Sequence, residues 1–528
     1  MTLRGLKNTV TCLLLAGALL PGQRPAASLR ASVAGGVFVV NDATDADTRD
    51  SVLSLREAMN VAAGATGPFT PQERSQLGGC AFNAIGEITS GCGAGGDTIT
   101  FSPPLTQIIL TSNLPQIIKD GVTINGAVSA GTIIINANAA VNFGFRVNAN
   151  QVTLTDLTIV NTSGTGNPIR LENNLWMGLQ IYNSYIGVLP GSTSCDGASG
   201  ITSRPYVAVL LLGGSGMAGA GLGTAYIDNN VIGCAVNDGI SNQEAPYVYV
   251  GRNVAGGSAG NWIGVSRGGS NIGNNGKGIA VCCGSTTTGF QAQGNHIAFN
   301  RLHGVEVQGP LEGALTDNDV FDNGGAGIRL IDSRAIMLTN NLAHANGSSG
   351  IWLHQTSSTP GQTSDNKIVG GAYFRNGAAG ISEHANANAN TWSQISAYAN
   401  QGLGIDKQDN GTPDLPQVTV NSITPVAQGA QVSGTVTSDI LIGNTYRVEL
   451  YRIDPDPSGK GEGRSYVGSA DVMWNIAGNK QWLIVDPSGP GCYSATLTES
   501  SFISSVSSEF SPNLGTRCAA AHLPFVLR

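Results

Sequence analysis

The segment Asn323-Gly324-Gly325-Ala326-Gly327-Ile328-Arg329-Leu330 is followed, 23 residues later, by Asn346-Gly347-Ser348-Ser349-Gly350-Ile351-Trp352-Leu353. Both segments fit the pattern Asn-x-x-x-Gly-(Ile/Val), which occurs six times in register. The glycines of the six copies are Gly278, Gly304, Gly327, Gly350, Gly380 and Gly404, so consecutive copies lie 26, 23, 23, 30 and 24 residues apart. A repeat of this length is typical of a solenoid, in which each unit stacks on the preceding one.

Each repeat holds two or three short runs in which apolar and polar residues alternate, such as Gly327-Ile328-Arg329-Leu330. These runs have the length of β-strands, and the Gly and Asn between them tolerate the left-handed backbone of tight corners. No repeat contains a helical period, which excludes leucine-rich, ankyrin and helical repeats. We therefore predict an all-β solenoid whose strands pair in parallel, about 4.8 Å apart.

Stacking predicts ladders of equivalent side chains. Ile and Leu point inward, and the corner Asn residues hydrogen-bond their amides along the stack. A second registered Asn (Asn295, Asn318 and Asn341) and a registered aromatic position (Phe321, Phe374 and Tyr398) extend the pattern.

The composition excludes several protein classes. The chain has 528 residues, 73 of them Gly, which is about twice the usual share, and 41% of its residues are apolar. The Gly has no three-residue period, which excludes collagen, and the apolar content exceeds that of a disordered chain. A net charge of −8 without a basic block argues against nucleic acid as a partner.

The N-terminus has the layout of a secretory signal peptide. Arg4 and Lys7 precede an apolar run from Val10 to Leu20, and small residues follow, so we predict cleavage after Ala27 or Ala34. No later segment reaches membrane-span length without Gly, and a secreted or cell-surface protein is expected.

Removal of the signal peptide leaves eight cysteines, an even number that favours disulfides in an exported chain. Two local pairs, Cys80 with Cys92 and Cys492 with Cys518, are predicted. The pairing of Cys195, Cys234, Cys282 and Cys283 stays open.

The sequence predicts several units along the chain. Leu53, Leu55, Ala58, Met59 and Ala62 fall at helical spacing, and a strand plus this helix would close the exposed end of the solenoid. Past Ile405 the repeat stops and alternating strands predict a small antiparallel β-sandwich. The expected units are a signal peptide (1–27), an N-terminal cap (36–96), the solenoid with roughly a dozen coils (97–405), a junction (406–415), the sandwich (416–515) and a tail (516–528).

The repeats resemble the right-handed parallel β-helix of the pectate-lyase-like superfamily. The segments Val37-Phe38-Val39-Val40-Asn41-Asp42, Ser54-Leu55-Arg56-Glu57-Ala58 and Gly96-Asp97-Thr98-Ile99-Thr100-Phe101 are similar to the CSLREA domain of exported bacterial proteins. That motif begins with Cys, where this chain has Leu53. The resemblance implies a right-handed parallel β-helix and export, but no catalytic residues.

A candidate binding surface follows from the strand alternation. The residue after each repeated Ile or Val points outward, giving a row composed of Ala280, Glu306, Arg329, Trp352, Ser382 and Asp406, with Gln308, His354 and His384 two positions further along. We predict a substrate-binding site at Glu306, Arg329, Trp352 and His354. In this site Trp352 would stack on a sugar ring, Arg329 would pair with a uronate carboxylate, and Glu306 or His354 would act as a base if there is catalysis. The alternative is an ordinary solvent-facing row with a weak ion pair between Glu306 and Arg329.

The predicted function is binding of a polysaccharide or a surface glycan along the outer face of one parallel sheet. Two alternatives stay open: a polysaccharide lyase or other carbohydrate-active enzyme of the pectate-lyase-like type, and a structural or adhesive surface protein. The polygalacturonase signature is absent from the sequence. No cofactor or metal is expected beyond a structural calcium ion at 454–459 or at Asp406, Asp409 and Asp414, and a monomer is expected.

Overall fold

The computed structural model describes residues 35–518, except 173–177, 198–199, 214–223, 246, 252–259, 283–288, 310, 357–361, 385, 409–414, 439–444, 455–461, 474–477, 501–504 and 516–517. The predicted signal peptide and most of the predicted tail lie outside these residues. Most of the described chain winds into coils that stack three parallel sheets around one apolar core.

Sheet 1 takes one strand from each coil and also includes the first strands of the chain. In chain order it contains β1 (Val37–Val40), β2 (Leu77–Gly78), β5 (Thr98–Phe101), β7 (Thr123–Asn125), β11 (Thr153–Thr155), β14 (Leu179–Tyr182), β17 (Ala225–Asp228), β20 (Val248–Gly251), β23 (Phe290–Gln293), β26 (Leu311–Thr316), β29 (Arg334–Thr339), β32 (Lys367–Val369) and β35 (Thr391–Ser393). Its strands pair in parallel, except that β1 and β2 are antiparallel.

Sheet 2 holds the six strands that follow the repeated glycines and four earlier strands. They are β10 (Phe143–Val147), β13 (Asn167–Leu171), β16 (Val209–Leu212), β19 (Ile240–Gln243), β22 (Ile279–Cys282), β25 (Val305–Gln308), β28 (Ile328–Ile331), β31 (Ile351–His354), β34 (Ile381–Glu383) and β37 (Ile405–Lys407).

Sheet 3 completes each coil. It contains β6 (Gln107–Ile109), β9 (Gly131–Asn136), β12 (Leu157–Val160), β15 (Tyr185–Ile186), β18 (Val231–Ile232), β21 (Trp262–Ile263), β24 (His296–Ala298), β27 (Asp319–Phe321), β30 (Leu342–His344), β33 (Ala372–Phe374) and β36 (Ser396–Tyr398), and the short β8 (Ala127–Val128) pairs antiparallel with β9. A coil therefore runs from sheet 2 to sheet 1 to sheet 3, as in β25, β26 and β27. The predicted parallel β-helix is confirmed.

The predicted amide ladder runs along the corner between sheets 3 and 2. The Oδ1 atom of Asn323 accepts hydrogen bonds from the backbone N–H and the side-chain amide of Asn300, at 3.1 and 2.9 Å, and Asn323 donates in the same way to Asn346. The left-handed residue at this corner is the one before each ladder Asn, for example Asp322 with φ 51°. The repeated Gly is required by the ladder, because a Cβ on Gly327 would lie 2.8 Å from the Asn346 amide.

Two more predicted ladders are present. Asn261, Asn295, Asn318 and Asn341 hydrogen-bond along the corner between sheets 1 and 3. On the outer face of sheet 3 the rings of Phe321, His344, Phe374 and Tyr398 stack with centroids 5.3, 4.8 and 5.1 Å apart.

The N-terminal end of the coil stack is closed as predicted by a strand and a helix. Strand β1 pairs in parallel with β5, and α1 (Leu55–Ala62) begins at Ser54, whose side chain accepts from the Glu57 N–H while Glu57 bonds back to the Ser54 N–H. Leu55, Ala58 and Met59 join the solenoid core. A second helix, α2 (Pro71–Gln76), and the antiparallel pair β3 (Ala81–Phe82) and β4 (Ile88–Ser90) complete this end.

The C-terminal part forms two antiparallel sheets. One contains β38 (Gln417–Val426), β39 (Gly429–Ser438) and β42 (Gly478–Asp486), and the other contains β40 (Thr445–Arg452), β41 (Ser465–Met473), β43 (Cys492–Ser500), β44 (Ser505–Ser507) and β45 (Leu514–Gly515). Their facing side chains form a second core.

This C-terminal part closes the last coil. Phe510 packs into the solenoid core, and the indole Nε1 of the buried Trp392 donates to the Ser508 carbonyl at 2.9 Å. The Glu462 carboxylate accepts the backbone N–H groups of Ala399 and Asn400, at 2.9 and 3.3 Å, in the place where the Asn ladder would otherwise continue. The strand edge of the last coil is thus covered.

Disulfides join Cys80 to Cys92 and Cys492 to Cys518, as predicted, and a third joins Cys195 to Cys234. Among the described residues, no helix has the length and apolar character needed to cross a membrane.

Candidate functional site

The predicted outward row lies on the outer face of sheet 2. Ala280 pairs with Glu306, Glu306 with Arg329, Arg329 with Trp352, Trp352 with Ser382, and Ser382 with Asp406. The residues on either side of this row, such as Ile328 and Leu330, are fully buried in the core. The structure therefore brings Glu306, Arg329 and Trp352 together on three successive coils.

Glu306 is the centre of an ion cluster. Its side chain is only 7% exposed, and its carboxylate lies 2.6 Å from the Lys277 Nζ and 3.2 Å from the Arg329 guanidinium. The ring of His303 completes the enclosure, with Nε2 at 3.7 Å from the carboxylate. Glu306 is thus much less exposed than its outward position predicts, because residues of the neighbouring coils cover it.

His303 is uncharged in this cluster at neutral pH. Burial lowers the pKa of His303 to about 4; the Glu306 carboxylate acts in the opposite direction, and Arg329 and Lys277 act in the same direction as burial. Its Nδ1 atom accepts the Ala326 N–H at 2.9 Å, which leaves Nε2 on the side of Glu306 and Arg329.

Asp238 lies beside the ion cluster, and its Oδ1 accepts the backbone N–H of Lys277 at 2.8 Å. Burial raises the pKa of Asp238, and the Glu306 carboxylate acts in the same direction. With His303 neutral, the cations Lys277 and Arg329 balance Glu306 and Asp238, so the cluster has no excess of either charge.

Trp352 is half-buried and flanked by polar side chains. The guanidinium carbon of Arg329, on the preceding coil, lies 4.4 Å from the indole centroid. The ring of His354 has its centroid 4.6 Å away, tilted by 53°. On the following coil the equivalent position is Ser382, whose side chain is too small to cover the second face of the indole.

His354 continues the site toward the end of the strand. Its ring lies 5.1 Å from that of His384 on the next coil, whereas the equivalent position on the preceding coil is the buried Ile331. Burial lowers the pKa of His354, and Arg329 and His384 add to this effect, so the ring is neutral at pH 7. Its Nδ1 atom is buried and has no hydrogen-bond partner among the described residues.

Sequence reasoning missed the residues that hold the cluster together. Lys277, His303 and Asp238 each come directly before the glycine that begins a sheet 2 strand. The signal that identifies them is the position directly before the glycine. When the repeats are aligned, this position forms a second row beside the one that follows Ile or Val.

Among the described residues, no group of three or more His, Cys, Asp or Glu side chains is arranged to hold a metal ion. Asp409, Asp414 and most of 454–459 lie outside those residues. The predicted calcium sites therefore stay predictions.

Comparison with known proteins supports the fold. The family described as "Right handed beta helix region" matches residues 265–440, which is less than half of the chain. No curated protein matches the chain in a sequence comparison.

Several solved structures are similar at low identity. The A-module of a mannuronan C-5 epimerase from Azotobacter vinelandii is 13% identical, with a TM-score of 0.40, over 60% of this chain and 78% of its own. A periplasmic alginate epimerase is 14% identical, with a TM-score of 0.30, over 63% of this chain and 66% of its own. A tailspike protein 2 from an Escherichia coli O157:H7 bacteriophage is 10% identical, with a TM-score of 0.34, over 80% of this chain and 65% of its own. Likeness at this level says nothing about what this chain binds.

Proposed function

We propose that the protein binds a polysaccharide along the outer face of sheet 2, with Trp352 as the platform for one sugar ring. The observation that carries this proposal is the asymmetric environment of the indole. Arg329 covers the face toward the preceding coil, at 4.4 Å, and the following coil offers only the small Ser382. A half-buried indole with polar groups around it suits a pyranose, whose C–H groups pack on the ring while its hydroxyls form hydrogen bonds.

Trp262 on sheet 3 shows what a closed indole looks like in the same fold. Arg267 lies 4.2 Å from its centroid and hydrogen-bonds to Asn229 of the preceding coil, and His296 of the following coil stacks at 5.6 Å. Both faces are therefore covered. Arg and His side chains also surround Trp352, but there the nearer His ring is tilted by 53° and not stacked, which supports a role in binding for Trp352 and not for Trp262.

The polar groups around Trp352 are suited to sugar hydroxyls and carboxylates. The neutral His354 can donate from one ring nitrogen and accept at the other. Its buried Nδ1 has no partner within the described part of the chain, and a ligand or a water would supply one. Arg329 is held by Glu306 and presents planar N–H donors of the kind that pair with carboxylates.

We propose binding without turnover. The Glu306 carboxylate is enclosed by Lys277 and Arg329, so its proposed role is to position these cations. The disulfides Cys80–Cys92, Cys195–Cys234 and Cys492–Cys518 support the further proposal that the protein works outside the cytoplasm.

The test is a screen of the full-length protein on acidic and neutral polysaccharides by affinity electrophoresis, followed by variants. We expect Trp352→Ala to weaken binding by about tenfold or more, since a central aromatic anchor carries much of the energy of a site. Arg329→Gln should weaken binding of acidic polymers most. Trp262→Ala is the matched control and should bind like the wild type.

Equal binding by Trp352→Ala and the wild type would contradict the proposal. The same incubations should be assayed for unsaturated uronate absorbance and for new reducing ends. Their appearance in the wild type and loss in the Trp352 variant would replace the binding role by the enzymatic alternative.

A further inference from the structure

A cavity that shares no lining residue with the sheet 2 site lies where the last coils meet the C-terminal sheets. It is an open cleft of ≈ 640 Å³, within the range of small-molecule sites. Its solenoid wall is the outer face of sheet 1, with Lys367, Thr391 and Ser393, and its other wall is formed by Thr445, Arg447 and Asp471 on β40 and β41. Hydroxyl groups and charges therefore face each other across the cleft.

The floor of the cleft is fixed by one buried carboxylate. Glu449 is 1% exposed and accepts hydrogen bonds from the Ser393 hydroxyl, the Gln394 N–H and the Tyr451 hydroxyl, at 2.5, 2.8 and 2.5 Å. These bonds join the solenoid to the C-terminal sheets. They also hold the Glu449 carboxylate below the surface of the cleft, from where its charge acts on Arg447.

Two cationic groups at the surface of the cleft have donors left for an anionic ligand group. Lys367 is exposed and makes no ion pair with a described residue. Arg447 uses Nε and one terminal nitrogen for Asp471, at 2.9 and 3.4 Å, and its other terminal nitrogen has no partner among the described residues. Two cationic donors thus stand on opposite walls, and among the described lining residues Asp471 is the exposed carboxylate and Glu449 the buried one.

We propose that this cleft is a second saccharide site, specific for a sugar unit that carries a carboxylate. The carboxylate would lie between Lys367 and Arg447, where charge-assisted hydrogen bonds from both walls meet. The ring hydroxyls of the sugar would form hydrogen bonds with Thr391, Thr445 and Asp471. The two threonine hydroxyls can donate and accept, and the Asp471 carboxylate is a strong acceptor. Nothing in this inference depends on the sheet 2 site.

The test uses the full-length protein with short oligomers of galacturonate, glucuronate and mannuronate as probes. A neutral oligoglucoside and inorganic sulfate alone serve as comparison ligands. Hydrogen–deuterium exchange should show protection of 391–393 and 445–449 with at least one acidic oligomer, and neither comparison ligand should reproduce it. Calorimetry should then show Lys367→Gln and Arg447→Gln each weakening that binding by about tenfold.

Arg334→Gln is the matched control, because Arg334 forms an exposed ion pair with Asp365 on the same sheet at 3.2 Å and does not line the cleft. It should leave binding unchanged, and Trp352→Ala should leave the protection of the cleft unchanged even if it abolishes binding at sheet 2. Three results would overturn the proposal: no protection by any acidic oligomer, equal protection by sulfate, or unchanged affinity in both cleft variants.

Discussion

Replacing Asn323 by Ala tests whether the amide ladder holds the coils together. The Asn323 side chain is 1% exposed, and its Oδ1 accepts two hydrogen bonds from Asn300. Its Nδ2 donates to the carbonyls of Ile297 and Phe321 and to Oδ1 of Asn346, at 3.0, 3.1 and 3.0 Å. One truncation therefore removes five hydrogen bonds from a buried corner.

The cost follows from the groups left behind. The Asn300 backbone N–H loses its bond to Oδ1, whereas the Asn300 amide still bonds to the Ala298 carbonyl at 3.2 Å and Oδ1 of Asn346 still accepts the Asn323 N–H at 3.2 Å. The Asn300 N–H and the Ile297 carbonyl are then the groups without a full replacement. A buried unsatisfied group costs about 1–3 kcal/mol, so we expect a loss of about 3 kcal/mol.

The assay is equilibrium unfolding in urea, followed by tryptophan fluorescence and circular dichroism. Asn479→Ala is the control, because Asn479 is exposed on strand β42, and it should cost no more than about 0.5 kcal/mol. If Asn323→Ala unfolds at the same urea concentration as Asn479→Ala, the ladder is a consequence of the fold and does not stabilise it.

Further tests address the core, the cap, one disulfide and one titrating group. Ile328→Asp places an unpaired charge in the core and should cost several kcal/mol in urea unfolding. A chain starting at Asp97 exposes the first coil and should aggregate in size-exclusion chromatography, whereas a monodisperse product would show that the cap has another role. Replacing Cys195 and Cys234 by Ser opens a loop of 39 residues and should cost about 4 kcal/mol, read as a lower melting temperature. Burial raises the pKa of Asp319, but hydrogen bonds from two histidines outweigh it and hold the pKa at about 2. A carboxyl group with a lowered pKa stabilises the folded state fully at pH values above its unfolded pKa of 3.8, and this contribution is lost as the pH falls toward 2. The free energy of unfolding of Asp319→Asn should therefore depend less on pH in this range.

The repeat could be predicted from the sequence because its spacing follows from stacking. Each ladder Asn must bond to its equivalent one coil away, and the Gly four positions later must leave room for the next amide, as Gly327 does for Asn346. These two requirements fix residue types at a constant offset. The register of sheet 2, and with it the alignment of Arg329 and Trp352, follows directly.

Strands outside the repeat were harder to predict. Strands β41 and β42 were not predicted, and β41 in particular has little of the β-branched and aromatic alternation that marks a strand. Its Gly468 is small because the Ile484 side chain of the facing sheet lies 3.2 Å from where a Cβ would be. That requirement comes from packing between sheets, which a single sequence does not show.

Glu306 and Arg329 of the ion cluster were predicted from the sequence, but Lys277 and His303 were not, for a related reason. Alternation along a strand tells which face Glu306 occupies, but its burial depends on Lys277 and His303, which lie in the turns before the strands of two different coils. Side-chain reach across coils cannot be read from the period of one strand.

The ion cluster differs from the other positions of its row on sheet 2. The core and the Asn ladders specify the coils. At other positions of the same row, sheet 2 has the small residues Ser241, Ala280 and Ser382. Enclosing Glu306 with two cations costs desolvation that buried apolar or small residues would avoid, so stability alone does not account for it. Residues that make a fold less stable than simpler residues would are concentrated at functional sites. The cost is accounted for if Glu306 holds Arg329 against the indole of Trp352, and this is why the sheet 2 site is placed here and not on the fully stacked rings of sheet 3.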